Sequence, residues 1–109
     1  LLDTYPDVYP VEFRTVKGEP GMLAPAHGRD SVAIGLCRTL SNPDNDKFFR
    51  GIHDVLAEFE ARPHWGKGHM MTAERAAAVF PRYHDFVAIR RELDPSGTFL
   101  NEHLRGLVE

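Results

Sequence analysis

Hydrophobic and polar residues alternate along the first part of the chain in a pattern typical of β-strands. In the segment 11–17, Glu12 and Arg14 share one face, because successive strand side chains point to opposite faces. A second segment, 31–37, has bulky Val, Ile and Leu side chains on one face and small Ala, Gly and Cys side chains on the other. We therefore expect a short antiparallel strand pair over about 11–17 and 31–37.

From residue 46 onward, hydrophobic residues recur three or four positions apart, which is the spacing of an amphipathic helix. The first such run is expected to end before Pro63, since proline cannot continue the backbone hydrogen-bond ladder. Thr72 is suited to cap the next helix, and Pro81 to open or kink the one after it. Strands followed by helices indicate an α+β fold. The sequence predicts three to four helices, over about 46–61, 72–80, 81–93 and 100–108.

The third predicted helix has an apolar stripe of its own. Phe86, Ile89 and Leu93 follow one another at helical spacing and are expected to face the core. The turn residues from Asp94 to Gly97 then separate this helix from the last one.

Length and composition restrict the classes of protein that remain. The chain has 109 residues, of which 42% are hydrophobic and 27% charged, as expected for one modest globular domain. A net charge of −3 without blocks of like charge gives no indication of nucleic-acid binding, and no apolar run is long enough to indicate membrane association. A single cysteine, Cys37, excludes an intrachain disulfide framework and favours a reducing, cytoplasmic location. Because Leu1 opens the chain without a signal-peptide pattern, we expect a piece of a longer protein.

Glu12 and Arg14 are the first candidate functional residues. One is an acceptor-only group and the other a planar five-donor group, so together they match the hydroxyl groups of a polyol or sugar. Arginine also suits the charge that develops on an alcohol oxygen as it loses its proton. The alternative is a solvated strand face with an incidental ion pair, and spacing alone favours this alternative.

The segment 62–69 combines an arginine, two histidines, a tryptophan, a lysine and two glycines. Its glycines permit backbone angles that would aim Lys67 inward, where the ammonium group suits a reduced flavin or a substrate hydroxyl. His64 suits a neutral donor or a general base. In the alternative interpretation, Trp65 anchors a surface loop and Lys67 extends along it. The residues alone leave the two interpretations equal.

Other kinds of site have weak support in the sequence. No two of the six histidines are four residues apart on a helix, and we expect no metal site. The chain lacks the glycine patterns of dinucleotide-binding and phosphate-binding loops. A lone cysteine such as Cys37 is more often a packing residue than a reactive one.

Several segments occur in an order that is specific when taken together. They are Val11–Val16, Leu23–Ser31, Arg62–Lys67, Phe80–Tyr83, Asp94–Gly97 and Phe99–Asn101. In these segments the chain resembles the C-terminal region of the aldonolactone oxidase and alditol oxidase group, which belongs to the vanillyl-alcohol-oxidase-type flavoproteins. The resemblance covers nearly the whole chain from about Pro10 onward.

The resemblance implies a two-domain enzyme with an FAD-binding domain N-terminal to this chain. Residues 1–109 would then form the end of the substrate (cap) domain and the helices that return to the FAD-binding domain. It also implies that Arg14 and Lys67 contact the reacting polyol, that Glu12 lies near flavin and substrate, and that His64 lies beside the flavin. Arg14, Lys67 and Glu12 are accordingly the predicted catalytic residues.

Two positions differ from the group's usual pattern. Gly35 stands where relatives often have a polar residue, and Cys37 stands where alditol oxidases tend to have threonine. Cys37 is therefore expected to contact the substrate, together with Glu12, Arg14 and Lys67. Gly35 and Cys37 would make the wall of the substrate cavity less polar, and the cavity roomier, than in those relatives. This favours a substrate other than xylitol or sorbitol alone.

Two functional hypotheses follow. In the first, the chain is part of an FAD-dependent oxidoreductase that oxidises an alcohol group of a polyol or sugar-1,4-lactone by hydride transfer to the flavin. In the second, the chain is a non-catalytic domain that binds sugar or another protein. In either case, the 109 residues alone are expected to be inactive.

Overall fold

The computed structural model describes residues 4–109 and confirms the predicted α+β fold. Strands β1 (Val11–Val16) and β2 (Ser31–Leu36) form an antiparallel pair. Among the described residues, no helix is both long enough and apolar enough to cross a membrane. The helices that follow are α1 (Asn45–Ala57), α2 (Ala73–Val79), α3 (Tyr83–Leu93) and α4 (Glu102–Val108).

Two helix boundaries differ from the prediction for local reasons. Helix α1 ends at Ala57 rather than near residue 61, and Glu60 adopts a positive φ of 51°, which no α-helix contains. Helix α3 begins at Tyr83, because Pro81 and Arg82 form the turn that precedes it. Thr72 does cap α2, since its side chain accepts a hydrogen bond from the backbone N–H of Arg75 at 3.2 Å.

The strand register determines which residues share a face of the ribbon formed by β1 and β2. Glu12 lies opposite Gly35 and Arg14 lies opposite Ala33, so the charged residues share one face with the small ones. The bulky residues occupy the other face, where Phe13 is 68% exposed. The alternation predicted from the sequence is therefore confirmed, but neither face is covered within the described residues.

The main hydrophobic core lies among α2, α3 and α4 rather than under the ribbon. The predicted apolar stripe of α3 is wrong in part, because Phe86 is half-buried but Leu93 is 78% exposed. The hydroxyl of Tyr83 donates to the carbonyl of Leu107 at 2.7 Å and turns a different face of α3 toward α4. The buried residues of this core are Met71, Ala76, Val79, Phe80, Tyr83, Val87, Leu107 and Val108.

A buried arginine joins the end of β2 to the start of α1. The side chain of Arg38 is 2% exposed and lies over the rings of Tyr5 and Phe48, at 5.0 and 4.8 Å from their centroids. Its guanidinium donates two hydrogen bonds to Asp7, both at 2.9 Å, and pairs with Asp44 at 2.8 Å. The charge is therefore compensated where water is excluded, as a buried arginine requires.

Asp94 closes the turn between α3 and α4. Its carboxylate accepts hydrogen bonds from the backbone N–H groups of Thr98 at 2.8 Å and Phe99 at 3.0 Å. The backbone hydrogen bond from Phe99 is the largest influence and lowers the pKa of Asp94 below its usual value. Burial opposes this effect, but the hydrogen bond from Thr98 and the positive charge of Arg90 lower the pKa as well. The carboxylate of Asp94 therefore binds a proton less readily in the folded state than in the unfolded state.

We expect Asp94→Asn to lower the melting temperature of the protein at pH 7 and to flatten its pH dependence below about pH 4. A depressed carboxyl pKa stabilises the fold above the unfolded pKa of about 3.9, and this stabilisation disappears as the pH falls through the folded pKa. Melting curves between pH 2 and pH 7 measure the effect, with the exposed Asp54→Asn as the matched control. Parallel curves for the wild type and Asp94→Asn would contradict this account.

Candidate functional site

Glu12 and Arg14 form a direct pair on the face predicted from the sequence. The guanidinium Nη2 of Arg14 donates to Oε2 of Glu12 at 2.8 Å, and the two side chains are 71% and 45% exposed. The carboxylate lies over Gly35, where an added Cβ would come within 3.3 Å of Oε2. At this exposure the pair contributes little to stability, so its geometry matters for what it presents to a ligand.

Cys37 extends the small-residue face of the ribbon by one position. Its backbone N–H donates to the carbonyl of Pro10 at 3.3 Å, and its own carbonyl accepts from the N–H of Tyr9 at 3.0 Å. Strand pairing therefore continues past Leu36, which places Cys37 on the same face as Gly35. The residue is exposed within residues 4–109.

His64 and Lys67 lie in one tight turn. The backbone N–H of Lys67 donates to the carbonyl of His64 at 3.0 Å, and the N–H of Gly66 donates to Nδ1 of the His64 ring at 3.0 Å. Because Nδ1 acts as an acceptor, a neutral His64 ring carries its proton on Nε2. Lys67 is exposed, and its ammonium group makes no hydrogen bond or ion pair with any residue in 4–109.

Trp65 anchors this turn to the rest of the molecule. Its indole Nε1 donates to the carbonyl of Leu23 at 2.8 Å, and its ring stacks on Phe80 with centroids 5.1 Å apart. Anchoring by Trp65 was one of the two interpretations of this segment, and the structure confirms it. The anchor is compatible with a functional turn, because it leaves the side chains of His64 and Lys67 exposed.

Arg62 was not among the site residues predicted from the sequence. Its Nε donates to the carbonyl of Val79 at 2.7 Å, and its Nη1 donates to the carbonyls of His27 at 2.8 Å and Pro25 at 3.3 Å. The guanidinium carbon lies 5.3 Å from the ring centroid of Phe80. Helix α2 has no basic residue in its own last turn, so Arg62 supplies the cation that a helix C-terminus favours.

Burial and charge both act on the Arg62 guanidinium. Burial lowers the pKa of Arg62 from its usual value, and the positive charge of Arg29 lowers it further, against the opposing effect of Glu60. Arginine nevertheless stays protonated in proteins, so all of its donors remain available. The shift indicates a partly desolvated cation whose hydrogen bonds to carbonyls are stronger than they would be in water.

The end of the turn-bearing segment packs against α4 through two histidines. The rings of His69 and His103 are 5.1 Å apart, and His69 also meets Trp65 edge-on at 5.6 Å. Burial lowers the pKa of His69, and the neighbouring His103 lowers it further. In the part of the chain that the structure describes, no group of three or more His, Cys, Asp or Glu side chains lies close enough to hold a metal ion.

The predicted residues form two clusters, which we call the ribbon pair (Glu12 and Arg14) and the basic turn (His64 and Lys67). Within residues 4–109, no hydrogen bond or ion pair joins one cluster directly to the other. Two shallow surface depressions lie at the far end of the ribbon, around Lys17, and neither is lined by either cluster. The link between the clusters is indirect and runs through the connection 17–30 between β1 and β2, which Arg62 and Trp65 hold.

Comparisons with known proteins identify relatives of this chain. An alditol oxidase from Streptomyces is 41% identical over 98 residues, which are 90% of this chain and 24% of that protein. An L-gulono-1,4-lactone dehydrogenase from Mycobacterium tuberculosis is 32% identical over 103 residues, covering 94% of this chain and 24% of that protein. An L-gulonolactone oxidase from Mus musculus is 32% identical over an alignment of 110 positions, which covers 95% of this chain and 25% of that protein.

The chain therefore spans about a quarter of the length of these relatives. The family model for D-arabinono-1,4-lactone oxidase matches residues 3–107, which is nearly the whole chain. This match confirms the resemblance inferred from the ordered segments. The chain belongs to the D-arabinono-1,4-lactone oxidase family.

Proposed function

We propose that the full-length protein is an FAD-dependent oxidoreductase that oxidises an alcohol group of a polyol or sugar-1,4-lactone by hydride transfer to the flavin. The family is one of flavoproteins, and the relatives include an alditol oxidase and an L-gulono-1,4-lactone dehydrogenase. The observation that carries the proposal is the ribbon pair, in which Arg14 is held by Glu12 at 2.8 Å and remains exposed. This geometry is suited to an oxygen-bearing ligand.

The chain supplies one side of the proposed site. We assign residues 1–109 to the end of a substrate domain together with the helices that return to an FAD-binding domain elsewhere in the protein. FAD is then bound mainly by that other domain, and the 109 residues alone are expected to be inactive. The exposed ribbon face and the exposed basic turn support this division, because both present polar groups outward.

The donor groups of the basic turn suit a flavin. When bound, FAD supplies the hydride acceptor for the reaction. The exposed Nε2–H of a neutral His64 matches an acceptor atom of the flavin ring, and Glu12 offers an acceptor to a ring N–H. The ammonium group of Lys67, two residues from Trp65, adds positive charge on the same exposed turn.

The ribbon pair and Lys67 have different roles toward the substrate. The alcohol would lose its hydroxyl proton to solvent and its carbon-bound hydride to the flavin. The N–H groups of Arg14 and the ammonium of Lys67 stabilise the negative charge that develops on the oxygen, which lowers the barrier to hydride departure from carbon. Glu12 accepts hydrogen bonds from neighbouring hydroxyls and fixes the plane of the Arg14 guanidinium. These roles require both cations to meet one oxygen.

Cys37 is assigned to the substrate wall beside the pair. Its thiol is exposed on the face that carries Gly35 and Ala33, and a thiol is a weaker hydrogen-bond donor than a hydroxyl. A hydroxyl group placed against this wall would lose hydrogen bonds to water without replacing them. We therefore expect substrates with fewer hydroxyls than xylitol or sorbitol to be accepted as well.

The direct test of the proposed function is reduction of the purified full-length protein. The protein is expected to show a flavin absorbance band that is bleached under anaerobic conditions by a sugar alcohol or a sugar-1,4-lactone. A panel of polyols and lactones, with buffer alone as the control, identifies the class of substrate. Absence of a flavin band, or a band that no polyol or lactone bleaches, would refute the proposal. Carbohydrate binding without flavin would instead favour a non-catalytic sugar-binding domain.

Lys67→Met is expected to lower kcat by about 10²- to 10³-fold, the usual effect of removing one donor to a developing oxyanion. The melting temperature should stay close to that of the wild type, because the Lys67 side chain is exposed. Lys17→Met is the matched control, since Lys17 is an exposed lysine paired with Asp30 at the far end of the ribbon. Equal effects of the two substitutions on kcat would contradict the role of Lys67.

A further inference from the structure

We propose that Arg62 is a positioning residue, which sets the basic turn and the ribbon pair at the separation that the reaction needs. The inference rests on the proposed function insofar as it assigns both clusters to one substrate. We assign Arg62 no direct part in the chemistry, because its Nε and Nη1 donate to backbone carbonyls. Its effect on the reaction passes through Lys67 and Arg14.

The three carbonyl acceptors of Arg62 lie in two separate parts of the fold. His27 and Pro25 belong to the connection that joins β1 to β2, and Val79 is the last residue of α2. Arg62 itself begins the segment that carries the basic turn. One planar guanidinium thus ties together the connection of the ribbon, the helical core and the basic turn, with its two strongest bonds at 2.7 and 2.8 Å.

A stack of planar groups reinforces these hydrogen bonds. The guanidinium of Arg62 lies over the ring of Phe80, and the indole of Trp65 stacks on that ring as well. Phe80 is 1% exposed and is fixed in the core. Trp65 then donates to Leu23, a third carbonyl of the same connection. The connection is therefore held at Leu23 by Trp65 and at Pro25 and His27 by Arg62.

Lysine is a poor substitute for Arg62. The guanidinium uses Nε in one direction and Nη1 in another, and the rigid plane keeps these directions fixed. An ammonium group is a point charge on a flexible stem, so it cannot span the same acceptors with a fixed geometry. Arg62→Lys should therefore weaken the hydrogen bonds to the three carbonyls and keep the positive charge. Loss of about 1 Å of registration at a reacting centre costs up to about 10²-fold in rate.

The experiment compares full-length Arg62→Lys with full-length Arg105→Lys. Arg105 also donates from Nη2 to a backbone carbonyl, that of Gly97 at 3.1 Å, but it ties α4 to the preceding turn instead. Two quantities are measured well below the melting temperature. The first is amide hydrogen exchange in segments 21–28 and 63–70, and the second is kcat and KM for the substrate found with the wild type.

We expect Arg62→Lys to speed exchange in both segments together and to lower kcat by about 10- to 100-fold. Arg105→Lys should change neither quantity. Unchanged exchange in either segment would overturn the proposed tie, and faster exchange with unchanged kcat would overturn the positioning role. A purely structural arginine would lower the melting temperature without lowering kcat of the folded enzyme.

The design separates this inference from the proposed function. If the wild type oxidises no polyol or lactone, the proposed function fails, whereas the exchange measurement still decides whether Arg62 couples the two segments. If Arg62→Lys does not fold, Trp65→Phe serves as the second variant, since it keeps an aromatic ring on Phe80 and removes only the bond to Leu23. Faster exchange in 21–28 with a lower kcat supports the tie, and the absence of either change overturns it.

Discussion

The hydrogen bonds from Arg62 and Trp65 to the connection between β1 and β2 are the constraint on which the arrangement of the candidate site depends. Some carbonyl groups of this connection, such as those of Glu19 and Ala26, accept from backbone N–H groups within it, whereas others are satisfied by side chains from elsewhere in the fold. Arg62 satisfies Pro25 and His27, and Trp65 satisfies Leu23. Both donors come from one short segment, and that segment also bears Lys67. The same bonds that satisfy the connection therefore fix the basic turn relative to the ribbon.

The ribbon depends on this constraint because it has little support of its own. An isolated pair of strands is marginally stable in water, and both faces of this pair are exposed within residues 4–109. The hydrophobic core lies instead among α2, α3 and α4. Arg62 holds the connection of the ribbon against that core, since it binds the last carbonyl of α2 and two carbonyls of the connection. An exposed ribbon can then present Glu12 and Arg14 in a defined place.

Sequence reasoning succeeded where the controlling interactions are local. The faces of β1 and β2 follow from a period of two residues, so Glu12 and Arg14 were placed together correctly. The cap at Thr72 is likewise a bond to a residue three positions away. The exposed face of α3 was predicted wrongly, because the bond from Tyr83 to Leu107 joins residues 24 positions apart. The buried residues Tyr83 and Val87 are themselves four positions apart, so helical spacing was present and only the choice of face depended on this distant contact.

Arg62 shows why part of the candidate site could not be predicted. Its acceptors are backbone carbonyls 17, 35 and 37 positions away, and a carbonyl is present at every position whatever the side chain. No pattern of residue types therefore indicates which arginine binds them. The sequence did contain indirect signs, namely an arginine next to Pro63 and a helix α2 without a basic last turn. The resemblance identified the segment but not the role of its first residue.

The central claim is that Arg14 and Lys67 act on the same substrate oxygen although they lie in separate clusters. A double-mutant cycle of Arg14→Met and Lys67→Met, measured as kcat/KM in the full-length protein, tests this claim most directly. Residues that act as a unit on one transition state are non-additive, so we expect an interaction energy of about 1 to 3 kcal/mol. Effects that add to within about 0.3 kcal/mol would show that the two cations act independently. That result would contradict the account.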